Sequence, residues 1–255
     1  MVEITYKKKG IRISQIWFSQ GICGSAKTDI LFFHEVAKGD EKGCIYQPFH
    51  TLVSDLTRDE ESLYGLIQKN VRYEIRRNQK EEVDFKLYSS EEILNEPELL
   101  TEFARMYEAM YREKGIHQTL NIMQLKFYAR ANGLMISTMS LKNQPVVFHS
   151  YIVDKEKVRL LHSVSEFRKE DMDAGFIARC NKRLHWEDMC YFRTKNRKEY
   201  DWGGVSSLDN PNGIDAFKCK FGGYPVTYYN KYQAGSTFGK LIILLLRIYF
   251  RKRND

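Results

Sequence analysis

Between residues 134 and 165 the apolar period becomes two. Three runs, LMISTMSL, VVFHSYIV and VRLLHSVS, are separated only by KNQP and DKEK. Alternation of this kind places successive side chains on opposite faces of a strand, and connections this short join antiparallel neighbours. The chain is therefore expected to hold a three-stranded antiparallel meander, whose faces the remaining segments must cover. Thr57-Arg-Asp-Glu60 has capping-box spacing and is expected to open a helix running to about Gln79, with Leu63, Ile67, Val71 and Ile75 as its buried stripe. Pro97 suits a first helical turn, and Leu100, Phe103, Tyr107, Met110 and Tyr111 face one way until Gly115 ends that helix. A shorter helix is expected from about Asn121 to Arg130, and another through FIARCNKRLHWEDM to about Met189. EYDW and PVTYYNKYQ read as two further strands. Short apolar runs in the first fifty residues (IRISQIWF, DILFFHEV, CIYQPF) predict a small β-rich layer. The result is an α+β fold, a mixed and mostly antiparallel sheet flanked by helices.

An apolar fraction of 43% with 15 Phe and 16 Tyr is ample for a real core and excludes a disordered chain. The five cysteines (Cys23, Cys44, Cys180, Cys190, Cys219) are odd in number and lack C-x-x-C spacing, which points to buried free thiols in a reducing compartment. Neither a disulfide framework nor a metal site is expected. The N-terminus, MVEITYKKKG, has no apolar h-region, so no secretory signal is expected and the location reads as cytoplasmic.

The net charge is +7, and part of the excess is localised. KLIILLLRIYFRKR (Lys240–Arg253) carries five basic residues and no acidic one, and its apolar run is broken by Arg247 and too short to span a bilayer. It reads either as a helix docked on the core or as an interfacial anchor on an anionic membrane surface, at the inner face of the plasma membrane. A second cationic row, Lys69, Arg72, Arg76 and Lys80, lies beside the Leu63–Ile75 stripe, with Glu74, Glu81 and Glu82 nearby. It is either a solvated helix face or a phosphate-binding surface.

Residues 200–223, YDWGGVSSLDNPNGIDAFKCKFGG, hold five of the sixteen glycines, as two pairs (Gly203–Gly204, Gly222–Gly223) and Gly213. Glycine persists where φ must be positive or where something approaches the backbone closely. The segment is either a tight connection between core elements or a site. Asp201 and Asp215 flank it, and His149 and His162 lie on the adjoining meander, where period two would put His162 on one face with Leu160 and Val164. By spacing there is no Ser-His-Asp arrangement.

YDWGG followed by GIDAFKCKFGG resembles the signature of the FemABX-like branch of the GNAT acyltransferases, the peptidoglycan interpeptide-bridge aminoacyltransferases and their single-domain relatives. NVRYEIRRNQKE is similar to that family's basic helix. RLLHSVSEFRK with ARCNKRLHWEDM is similar to its central strand and following helix. The resemblance spans roughly residues 50–235. It implies a reduced N-terminal GNAT-like subdomain (1–82), a complete acyltransferase domain (83–235) and a basic apolar C-terminal helix (236–255). It also implies transfer of an acyl or aminoacyl group to an amine of a cell-envelope precursor, either peptidoglycan or a surface-polysaccharide intermediate. Lys218 and Phe217 take the family's Phe-Lys position at the transfer site, where the lysine neutralises charge on the donor end. The general base stays open among Asp201, Asp215, His149 and His162, and some aminoacyl transfer proceeds without a protein base, the amine losing its proton to the leaving group. Trp202, Gly203, Gly204, Asp215, Gly222 and Gly223 are candidates for lining the substrate.

No tightly bound cofactor is implied; the donor is aminoacyl-tRNA or an acyl-CoA. A coenzyme A site would need glycines after the central strand. FRKEDMDAG lacks them at the required spacing, although Arg168 and Lys169 could reach a phosphate, and Glu170, Asp171 and Asp173 are good helix-start residues but poor phosphate hosts. The row Arg72, Arg76, Lys80 suits tRNA or a diphosphate-linked acceptor. DNA is not an expected partner. The rival readings are an acetyl-CoA-dependent N-acetyltransferase acting on a nucleotide- or lipid-linked amino sugar, and an inactive RNA- or membrane-binding module.

Overall fold

The computed structural model describes residues 1–19, 27–166 and 173–254. The backbone groups into two compact units, Met1–Thr51 with Val226–Asp255, and Leu52–Pro225. The chain passes between them within two strands, β4 (Ile45–Asp55) and β10 (Tyr224–Ala234). The divisions expected from sequence stand elsewhere, after residues 82 and 235.

The first unit holds β1 (Val2–Lys8), β2 (Ile11–Trp17) and β3 (Ile30–Val36), followed in lateral order by β10 and the first part of β4. β1 and β2 form an antiparallel hairpin, whereas β2 and β3 run parallel from Ile13↔Ile30 to Trp17↔His34. Ile16, Leu31 and Phe33 make its core cluster. The helix α8 (Thr237–Asn254) belongs to this unit.

In the second unit the strand order is the last part of β4, then β9 (Glu199–Gly204), β8 (Lys157–Ser165), β7 (Gln144–Val153), β6 (Leu134–Leu141) and β5 (Asp84–Tyr88). The expected meander is β6–β7–β8, paired antiparallel from Leu134↔Ile152 through Val153↔Val158. Its first turn places Lys142 and Asn143 at φ of 50° and 65°, the left-handed pair that a tight hairpin uses. α6 (Ala174–Thr194) packs across β6, β7 and β8, with α2 (Lys69–Asn78) against it. On the other face Phe103 of α4 (Pro97–Glu113) stacks on Phe148 at 5.1 Å, beside α3 (Ser90–Asn95) and α5 (Ile122–Arg130). Sequence patterning did not reveal β1, β5 or α3; α3 is short and is held by a Ser89–Glu92 capping box.

Two expectations need correction. The single helix from residue 57 to 79 is two, α1 (Glu60–Leu66) and α2. Its cap is Asp59, which accepts from Ser62 N, while Thr57 bonds back to Asp55. Ile67 and Gln68 are extended, and the Gln68 N–H donates to Lys220 O at 2.9 Å, a tertiary partner replacing a helical one. All four stripe residues are buried nonetheless. The second correction is in β8. A bulge opposite Ser150–Tyr151 pairs Leu160 with Tyr151 but His162 with Ser150. Leu160 therefore joins the core on the α6 side, whereas His162 packs edge-on to Phe103 and Tyr107 of α4 and hydrogen-bonds Ser150 Oγ at 2.9 Å.

Beyond the second unit's α7 (Gly213–Cys219), Gly222 sits at φ 78°, and a Cβ there would stand 2.6 Å from the Leu66 carbonyl oxygen. Gly223 is nearly as close to β4, 3.2 Å from Val53 O. This glycine pair lets the chain after α7 press against the α1–α2 turn. Gly222→Ala should therefore cost about 3 kcal/mol from strain and overpacking, read as a lower urea midpoint with unchanged slope.

Burial among Phe103 and Tyr107, with help from the Arg159 charge, lowers the His162 pKa from 6.5 to about 4. The unfolded chain then binds a proton that the folded one refuses, so stability is lost as pH falls from 6.5 towards 4, by at most about 3 kcal/mol. Urea titrations across that window should show this loss, and His162→Gln should make it shallower. Equal steepness in both proteins would count against burial as the cause.

Candidate active site

β8 and β9 run parallel for only three rungs, Lys157↔Glu199, Val158↔Tyr200 and Arg159↔Asp201. Beyond them Gly203 takes φ 71°, where a Cβ would stand 2.8 Å from Leu160 O. Asp201, buried, accepts the Gly203 N–H at 2.7 Å and so shapes this turn. Arg159 lies opposite Asp201 in the ladder. Asn212 caps α7 by accepting from the Ile214 and Asp215 N–H groups at 2.8 and 3.0 Å.

α7 carries Phe217 and Lys218 back over the end of β9. Lys218 Nζ donates to Gly204 O at 2.7 Å and to Gly203 O at 3.2 Å. An ammonium has three donors, and the third has no partner among the described residues. Burial lowers the Lys218 pKa; Asp215 and Asp201 oppose that shift and Arg159 adds to it. The result is a half-buried cation with one donor left for a ligand oxygen. Phe217 stands beside it, against His185 and Phe221.

Asp215 is otherwise engaged. Burial pushes its pKa up, but hydrogen bonds from Ser206 Oγ and the N–H groups of Ser206 and Ser207 outweigh this and hold it low. Its carboxylate ties the β9–α7 loop together. Trp202 is fully buried and donates to Ser54 Oγ at 3.0 Å, so it is core. Of the glycines, Gly203 and Gly204 present carbonyls to Lys218, while Gly222 and Gly223 serve packing.

A buried polar chain, which spacing did not reveal, runs beneath this corner. Asn181 Oδ1 lies 2.8 Å from His149 Nε2, and His149 Nδ1 lies 2.8 Å from Asp188 Oδ2. Tyr151 donates to the same Asp188 oxygen at 2.5 Å, and Tyr151 and Tyr200 share a 2.9 Å hydrogen bond. The Tyr200 hydroxyl lies 3.0 Å from His185 Nδ1. His185 stacks on His149 at 3.9 Å and packs on Trp202 and Phe217. Burial drives the His185 pKa well down, with His149 and Lys218 contributing. Burial likewise raises both tyrosines well above their usual range. The signal for His185 lay in its helix, where it falls with Cys180, Leu184 and Met189 on the buried side.

The other expected residues lie apart. Arg72 is half-buried over the Tyr64 ring at 5.9 Å. Arg76 lines a shallow cleft with Glu60 and Glu61, and Lys80 lies past the end of α2. His162 faces α4. Arg168 lies outside the described residues, as does Cys23. Asp173 is described: its carboxylate caps α6, accepting from Gly175 N at 2.8 Å and Phe176 N at 3.1 Å. Cys180 is buried, Cys44 and Cys190 are half-buried, and Cys219 is exposed, which corrects the expectation of uniformly buried thiols. Among the described residues no cluster of His, Cys, Asp and Glu could hold a metal ion.

No family model and no curated protein sequence matches this chain. Solved structures do. FemX superposes with a TM-score of 0.64 at 14% identity, over 94% of this chain and 86% of its own. The C-terminal domain of a protein named as a lysylphosphatidylglycerol synthetase, from Agrobacterium fabrum, gives 0.56 at 12% identity, over 84% of this chain and 70% of that one. L-PGS from Bacillus licheniformis gives 0.51 at 12%, over 86% and 72%. The fold of this chain is thus that of FemX and these synthetase domains.

Proposed function

We propose that the protein is an acyltransferase of the aminoacyltransferase type, forming an amide on an amine of a cell-envelope precursor. The observation that carries this reading is the Lys218 ammonium, fixed by two backbone carbonyls and with no partner for its third donor among the described residues, where β8 and β9 part. Attack of an amine on an ester carbonyl produces a tetrahedral oxyanion, and a preorganised cation in a half-buried site stabilises it strongly. Phe217 keeps water from that side. The amine nitrogen forms the new C–N bond while the ester C–O bond breaks. The proton lost by the amine passes to the departing hydroxyl oxygen or to a base. Asp201 is nearer than His162 to this role, because it shares the turn with Gly203.

The fold likeness to FemX and to lysylphosphatidylglycerol synthetase domains supports an envelope acceptor. Aminoacyl-tRNA is the preferred donor, because the N-terminus of α6, where a coenzyme A pyrophosphate would need free N–H groups, is capped by Asp173.

The test pairs a pool of radiolabelled aminoacyl-tRNA with labelled acetyl-CoA as donors, and muropeptide precursors with amino-sugar nucleotides as acceptors. Label should move from tRNA. Transfer from acetyl-CoA alone would instead make this an N-acetyltransferase, and no transfer with retained tRNA binding would make it a binding module. In Lys218→Ala, turnover should fall about a hundredfold, while the thermal midpoint stays close to that of the parent. Unchanged turnover would remove the role given to Lys218. The alkaline limb of the turnover profile should lie below the ordinary lysine range, since burial lowers that pKa and the cation is lost earlier as pH rises.

A further inference from the structure

The C-terminal helix was open to two readings, docked or lipid-facing. Within the first unit α8 docks through one face and leaves the other open. Gly239 lies against the Asp29 backbone, where a Cβ would collide; Ile243 is buried, and Phe250 packs on Tyr232 at 5.7 Å. One face of α8 is thereby spent on its own unit. The opposite face is apolar and open. Phe238, Leu241, Leu244, Leu245, Ile248 and Tyr249 are each between 48% and 58% exposed. At 100° per residue these six fall within one arc of about 140°. Lys240, Arg247 and Arg251 line one edge of that arc, and the helix carries no acidic residue.

A cleft of about 910 Å³ opens beside that cationic edge, between α8 and the strands of the first unit. Its walls include Lys38, Lys42, Lys231, Lys240 and Arg247 against one carboxylate, Glu41, which pairs with Lys231 at 2.6 Å. Phe33, Val36 and Ile243 supply its apolar floor. No helix among the described residues is long and apolar enough to cross a membrane. An apolar arc bordered by cations is the arrangement of a helix lying in the plane of a lipid–water interface, and the surplus of positive charge selects an anionic surface.

We infer that α8 is an interfacial anchor, inserting its Phe238–Tyr249 face among acyl chains while Lys240, Arg247 and the cleft cations meet anionic headgroups. This extends beyond the transfer chemistry and is read by binding alone, so it stands or falls independently of it.

The test is sedimentation of the full chain with vesicles of phosphatidylcholine and phosphatidylglycerol, about two to one, and of phosphatidylcholine alone. The protein should pellet with the anionic vesicles, weakly with the neutral ones, and less as salt rises from about 0.05 to 0.5 M. Leu241→Ser with Leu245→Ser should weaken binding about tenfold or more, as should Lys240→Gln with Arg247→Gln. These side chains lie on the surface, so an unchanged thermal midpoint confirms that each variant is folded. Failure to pellet with anionic vesicles, or equal binding by both variants, overturns the proposal. So does a dimer that the leucine variant dissolves with no vesicle binding in either protein, because the face would then belong to a second copy.

Discussion

The buried hydrogen-bond chain from Asn181 to His185 ties α6 to β7 and β9, and the geometry of the candidate site depends on it. One Asp188 oxygen serves both His149 and Tyr151, and Tyr200 extends the link to the strand that supplies the Lys218 carbonyls. In an apolar interior each of these groups would be costly unpaired, so the network fixes how α6 lies on the sheet. His185 and Phe217 then form the wall behind Lys218.

The glycine-rich segment serves two separate needs. Gly203, at positive φ, ends the β8–β9 ladder and lets the backbone pass close to Leu160 O. Gly222 and Gly223 bring the chain after α7 against Leu66 and Val53, beyond the end of α7. Between these two close approaches, α7 can only return over the end of β9, and this carries Lys218 to its two carbonyls. The concentration of glycine beside bulky aromatics is thus a packing requirement whose product is a placed cation.

The two charged surfaces differ in kind. The α2 helix carries its cations among carboxylates: Arg76 shares a cleft with Glu60 and Glu61, and Arg77, adjacent to the row, lies 3.9 Å from Glu81. The cleft beside α8 holds five cations against one carboxylate. Net charge alone could not separate these cases, because the carboxylates beside Arg76 come from α1, a separate element.

The sequence by itself determined the meander, the buried stripes of α1–α2 and α4 and the strands β2, β3 and β4, since each follows from a local period and from turn residues such as Lys142-Asn143. The Phe217–Lys218 pair was legible only through a motif's resemblance. Tertiary structure decided the rest. Ile67 and Gln68 leave the helix because Lys220, far along the chain, offers a carbonyl. A single bulge in β8 separates His162 from Leu160, which strict alternation would have joined. His185 meets Tyr200, and Lys218 meets Gly203 and Gly204, through contacts between elements rather than within them. Local preferences set which segments fold and which face they bury, while the pairing of buried polar groups across the fold sets where the reactive side chains stand.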